Sequence, residues 1–222
     1  MHTLNIIIHV LAGILALITG FTAITTTKGG KTHIRFGSYF LKLISIVIMT
    51  GLIGVLIYQK NNFLLVITLL SGYNAFSGWR VIRLAGHKPM LIDYIVPVLV
   101  LANGIYYLYY IMSIGLYWSP VVIYSTLGAL AMITLYDLSR GFMRRKTLLK
   151  TMIYEHIYKM VSALTGLTSA FIGTVLPQYQ PYSQILPSAI GLAFIIIILI
   201  IYALKQSNQE IVASQPPQTN HQ

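Results

Sequence analysis

Seven runs of apolar residues, each near the length that crosses a hydrocarbon core of about 30 Å at about 1.5 Å rise per residue, divide a chain of 222 residues. They cover 4–26, 38–58, 63–83, 90–112, 120–138, 149–175 and 186–204. A soluble fold could not bury this much apolar surface. Hydrophobic residues make up 56% of the chain and charged ones 9%, against a soluble average of about 25% charged. The expected fold is all-α: a polytopic bundle of seven transmembrane helices over 1–204, followed by a disordered cytoplasmic tail over 205–222, where Gln, Ser, Asn and Pro leave too little apolar surface for a core.

The net charge of +11 is concentrated in alternate connections. Lys28, Lys31 and Arg35 lie in the first, Arg80, Arg83 and Lys88 in the third, and Arg140, Arg144, Arg145, Lys146 and Lys150 in the fifth; Lys205 begins the tail. The second connection holds only Lys60, and the fourth and sixth hold no Lys or Arg. Positive charge marks the cytoplasmic side, so the N-terminus is expected outside and the tail inside. A nucleic-acid partner is not expected, because a basic soluble face with interleaved aromatics is missing. The chain has no cysteine, which excludes disulfides, thiolate metal sites and a cysteine nucleophile.

Other local signals agree with this layout. Span one lacks a basic n-region and its positive charges follow it, so it reads as a retained helix, not a cleaved signal. Tyr106, Tyr107, Tyr109, Tyr110, Tyr117 and Trp118 crowd the predicted outer end of span four and read as an interfacial belt. Pro120 and Pro187 are expected in the first turns of spans five and seven, where a missing N–H costs nothing. Pro97 falls inside span four and is expected to kink it.

Within lipid, helices associate by close packing, so small residues at steps of three and four mark protein-facing sides. Span one carries His9, Gly13, Ala16, Gly20 and Ala23; span six carries His156, Ala163 and Ala170 beside Lys159, Gly166 and Gly173. Span three, with Ser71, Gly72, Asn74, Ala75, Ser77 and Gly78, is polar enough to be enclosed by others.

Ionisable residues at membrane depth are functional candidates by default. They gather in the cytoplasmic half: Lys42, Trp79 with Arg80, Asp137 with Arg140 one turn on, Glu155, His156 and Lys159. Two readings compete. One is a salt-bridged rim whose long side chains snorkel to headgroups. The other is a polar cavity open to the cytoplasmic side, bounded by spans one, three, five and six and reaching His156. The candidate ligand-binding residues are therefore His156, Lys159, Glu155, Arg80, Trp79, Asp137, Arg140, His33 and His9.

Residue spacing bears on several specific chemistries. A b-type haem needs two axial imidazoles at one depth. His9 and His156 are separated by about 14 Å along the bilayer normal by helix rise, so one iron cannot use both. His33 could approach His156 only if span two begins early. No His-x-x-x-His pair, Gly-x-Ser-x-Gly elbow or phosphate loop is present, and the last span has no lysine for a retinal. Lys28-Gly29-Gly30-Lys31 could cradle a lipid phosphate but is explained by a tight turn. No catalytic residue, metal site or cofactor is assigned, haem b remaining an alternative.

The motifs His9-x-x-x-Gly13-x-x-Ala16-Leu17-x-x-Gly20, Lys28-Gly29-Gly30-x-x-His33-x-x-x-Gly37-x-Tyr39, Ser77-Gly78-Trp79-Arg80, His156-x-x-x-Met160 and Ser169-Ala170-Phe171 occur in an order that resembles a family of bacterial multi-pass membrane proteins known as domain of unknown function 2306. The chain departs from the family pattern where Ile34 separates His33 from Arg35. The resemblance implies a bacterial inner membrane and no particular activity. The functional expectation is a protein that binds or passes a small molecule, lipid headgroup or proton through a polar cavity on the cytoplasmic side. A haem- or quinone-binding redox protein and a structural subunit of a membrane assembly are the alternatives.

Overall fold

A computed structural model describes residues 2–58, 62–114 and 119–214, without the side chains of 62–65, 114 and 208–214. Lys60, Tyr117 and Trp118 lie outside the described residues. The described residues form seven long α-helices: α1 His2–Thr25, α2 Lys31–Leu56, α3 Asn62–Leu84, α4 Ile92–Ile114, α5 Pro120–Ser139, α6 Arg145–Val175 and α7 Tyr182–Ser214. Short 3-10 turns at Arg140–Phe142 and Pro177–Tyr179 flank α6. The protein is an all-α membrane bundle, and α1, α2, α4, α5 and α7 are each long and apolar enough to cross a bilayer.

The two polar helices occupy the centre. One core cluster joins Val66 and Tyr73 of α3 to Val100, Tyr107 and Ile111 of α4 and Val122, Ile123, Leu130 and Ile133 of α5. A second joins Ala75 of α3 to Ala12 and Ala16 of α1, Phe40, Ile44 and Val47 of α2, and Ala163, Leu164 and Leu167 of α6. α3 belongs to both, so its polar residues are shielded from lipid by α2, α4, α5 and α6. α7 touches the bundle through α6.

Neighbouring helices run antiparallel. Near the start of α1, His9 meets Thr50 late in α2, and near its end Ala23 meets His33 early in α2. The same inversion joins α3 to α4 through Arg80 and Asp93, and α6 to α7 through Tyr154 and Gln206. The α1–α2, α3–α4 and α5–α6 connections therefore share one end with the last turns of α7. That end carries Lys28, Lys88, Arg144 and Lys205, and is called the basic end below.

Small residues set the closest approaches. The α1 stripe packs with Ala12, Ala16, Gly20 and Ala23 buried. A Cβ on Gly78 of α3 would lie 2.9 Å from Lys159 Cβ and 3.2 Å from Met160 Sδ of α6. At the α3–α4 turn, Gly86 takes φ +75°, a conformation that L side chains rarely adopt, and a Cβ there would also overlap Leu149 of α6.

Several boundaries differ from the sequence reading. α2 starts at Lys31, seven residues before the expected 38, because Lys31, Thr32 and Arg35 continue the helix past the apolar run into exposed turns. α7 continues to Ser214, so residues 205–214 are helical and not disordered: Lys205 and Gln206 are good helix formers, Gln206 Oε1 accepts a hydrogen bond from Tyr154 at 3.0 Å, and the first proline is Pro216. Pro120 is the first residue of α5, as expected, whereas Pro187 sits inside α7 because that helix begins at Tyr182. Tyr106 and Tyr109 are exposed, but Tyr107 is buried in the α3–α4–α5 core and is no part of a belt.

Orientation is checked by labelling single cysteines introduced into this cysteine-free chain. Cysteine at Gln180 should react with an impermeant maleimide from outside, and cysteine at Arg144 only after permeabilisation. Labelling of both from the same side would contradict the charge rule.

Candidate functional site

Near the basic end, α5, the 3-10 turn that follows it and α6 bring four charges, two of each sign, into the interior. Lys159, Asp137, Arg140 and Glu155 are 1%, 5%, 3% and 6% exposed, which excludes the snorkelling rim for these four. Their charges sum to zero. Lys159 and Glu155 are one turn apart on α6, a spacing that puts both on one face. Asp137 closes α5 from the facing side, and Arg140 follows in the 3-10 turn.

The partners are specific. Lys159 Nζ donates to Asp137 Oδ1 at 2.5 Å and lies 3.6 Å from Glu155 Oε2. Tyr73 of α3 donates its hydroxyl to Asp137 Oδ2 at 2.6 Å. Tyr136 and Thr151 donate to Glu155 Oε1 at 3.0 and 2.6 Å. Arg140 Nε and Glu155 Oε2 form an ion pair at 3.1 Å, yet the two are out of line and neither atom makes a hydrogen bond among the described residues. Burial strengthens each charge-assisted bond and makes each orphaned atom expensive.

A second pair adjoins the first. Arg80 of α3 holds Asp93 of α4 in a two-pronged pair, Nε to Oδ1 and Nη2 to Oδ2, both at 2.7 Å. The Met90 backbone N–H adds a 2.8 Å bond to Asp93 Oδ2. Between the pairs is a void of ≈ 10 Å³ bordered by Tyr73, Phe76, Ser77, Arg80, Asp93, Pro97, Asp137 and Arg140. That is the lower limit for one water molecule.

The expected open cavity bounded by spans one, three, five and six is therefore replaced by a closed network of α3, α4, α5 and α6. The void does not reach His156. His156 is half-buried, and its Nδ1 lies 2.9 Å from the Gly78 carbonyl oxygen. His33 makes the same kind of contact, Nδ1 to the Ala23 carbonyl at 2.9 Å. His9 sits toward the other end, bonded to Thr50 Oγ1 at 2.9 Å. Its ring also approaches Gly51, which packs on Thr68 of α3. Thr68 and Gly78 are separated by about 15 Å of helix rise, so His9 and His156 belong to different places. Trp79 is exposed and stacks under the Arg83 guanidinium, 5.0 Å from the ring centroid, outside the network. Lys42 is exposed.

The sequence reading missed Asp93, Tyr73, Tyr136 and Thr151. Asp93 had a signal: the chain has only four acidic residues, and the half-buried Arg80 needs one of them. The tyrosines had none, since Tyr73 and Tyr136 resemble any aromatic core residue until the helices are placed. Also missed was an apolar cleft of ≈ 780 Å³ between α1, α6 and α7, with Phe21, Leu164, Thr168, Pro187, Gly191 and Phe194 in its walls; it touches none of the charged residues. Among the described residues no three His, Asp or Glu side chains converge in a metal-binding arrangement.

Comparison with protein-family models, curated proteins and solved structures finds no match to this chain.

Proposed function

We propose that this chain is a multi-pass protein of a bacterial inner membrane, basic end cytoplasmic, that passes protons through the Asp137 network. The observation that carries the reading is the buried Lys159–Asp137 pair, whose carboxylate is also held by the Tyr73 hydroxyl. A lipid headgroup or organic solute needs hundreds of Å³, on the order of 300–1,000 Å³ for ordinary ligand pockets. The void beside Asp137 has ≈ 10 Å³. A proton needs only hydrogen-bonding atoms in series.

α3 supplies such a series. Thr68, Ser71, Asn74 and Ser77 follow at three-residue steps, about 4.5 Å apart along the axis and winding half a turn around α3, from Thr68 beside α2 and Ser71 beside α6 to Ser77 at the void beside Asp137. Asn74 Oδ1 and Ser77 Oγ are buried without a hydrogen-bond partner among the described residues, so each can accept one. A buried unpaired oxygen costs free energy of roughly 1–3 kcal/mol, and a transient proton-carrying water would relieve it.

Purified protein in vesicles loaded with a pH-sensitive dye tests the reading. An imposed pH step should collapse faster than in empty vesicles, and Asp137→Asn, which retains shape, should return the rate to the empty-vesicle value. Equal rates in loaded, empty and variant vesicles would contradict proton passage.

A further inference from the structure

We infer that His33 and His156 form a two-imidazole site for a transition metal, at the basic end of the seam where α1, α2 and α6 meet. This goes beyond proton passage, and neither residue borders the void beside Asp137.

Depth comes first. Gly20 of α1 is the point where α2 and α6 meet it, since a Cβ there would lie 2.7 Å from Leu164 Cδ1 and 3.0 Å from Phe40 Cδ2. From that layer toward the basic end, His33 is seven residues from Phe40 and His156 eight from Leu164, about 10.5 and 12 Å of rise. The two rings are therefore level. Seven residues bring His33 back beneath Phe40, and His156 lies on the side of α6 that faces Gly78 of α3. His33 lies near enough to His156 for its charge to act there.

Ring orientation is the second observation. In the neutral tautomer each histidine donates Nδ1–H to a backbone carbonyl of a different helix, His33 to Ala23 of α1 and His156 to Gly78 of α3. Histidines that ligate metals characteristically donate their other N–H in this way, which fixes the ring and leaves Nε2 as the ligand. Neither Nε2 has a partner among the described residues.

The ligand number narrows the metal's form. With no third His, Asp or Glu converging among the described residues, the site supplies two donors. A structural zinc ion needs four. An iron porphyrin brings four nitrogens and takes two axial imidazoles, and a bare copper or zinc ion would complete its shell with water. Lys28, Lys31 and Arg35 flank His33 and suit a porphyrin's anionic side chains.

The test adds hemin, copper(II) or zinc(II) separately to purified full-length protein. With hemin, one equivalent should bind and give a low-spin, six-coordinate spectrum that remains so after dithionite. His33→Gln and His156→Gln should each lose the sixth ligand and weaken binding at least tenfold, while His9→Gln leaves it unchanged. Saturable binding of one copper or zinc with the same dependence on both histidines, and none of hemin, would assign the pair to a bare ion. A measurement on unaltered protein guards against misfolded variants: the bound metal should protect His33 and His156, and not His9, from diethyl pyrocarbonate. Binding of neither form, or binding with both histidines still reactive, would overturn the site.

Discussion

Replacing Lys159 with methionine should be the most damaging single substitution in this chain. It removes the cation that balances Asp137 and Glu155, in a site where all four charges are nearly sealed from solvent. Breaking a buried ion pair from one side costs about 3–5 kcal/mol, because the remaining charge is stranded. The loss should shrink at acid pH, where the stranded carboxyl takes up a proton and becomes neutral. Lys159→Met with Asp137→Asn leaves Glu155 with Arg140, and should recover much of the stability. Equilibrium unfolding in mixed micelles, followed by tryptophan emission, checks both. A single variant as stable as the parent would mean that the pair does not hold α5 to α6.

The second large effect is expected at Gly78. A methyl group there meets Lys159 Cβ at 2.9 Å, an atom fixed to the α6 backbone, and also Met160 Sδ at 3.2 Å. The helices must separate, which disturbs the His156 bond to the Gly78 carbonyl and the position of Lys159. Overpacking of this kind costs about 1–3 kcal/mol. Gly13→Ala is the matched control on α1, because a Cβ there meets nothing within 4 Å. Gly78→Ala should lower the unfolding midpoint clearly while Gly13→Ala leaves it unchanged or slightly raised by helix propensity. Equal effects would show that close approach of α3 and α6 is not what Gly78 provides.

The contrast between these glycines shows what a single sequence carries. Spacing alone marks Gly13 and Gly78 alike as small residues in stripes, and only the placement of α6 separates an open position from a contact. Seven helices, their alternation and the enclosure of α3 were legible because each rests on the hydropathy and charge of one segment. Convergence of Asp137, Glu155 and Lys159 was suggested by their shared depth. Arg80 takes its acid from α4, across a connection, and no periodicity within α3 points to Asp93. The early start of α2 escaped notice because an apolar run registers the hydrocarbon and not the polar first turns that contain His33. The ten helical residues after Leu204 escaped for the same reason. A polar composition and a cavity are also easily confused: the charged residues attract one another and fill the space they were expected to surround.

The most direct measurement is infrared difference spectroscopy across a pH titration of the parent protein and Asp137→Asn. If the network exchanges protons, a carboxylic C=O stretch should appear on acidification, shift on deuteration as a buried carboxyl does, and be missing in the variant. A parent spectrum with no titrating carboxyl, or one unchanged in Asp137→Asn, would contradict the account and leave the ion pairs with a structural role alone.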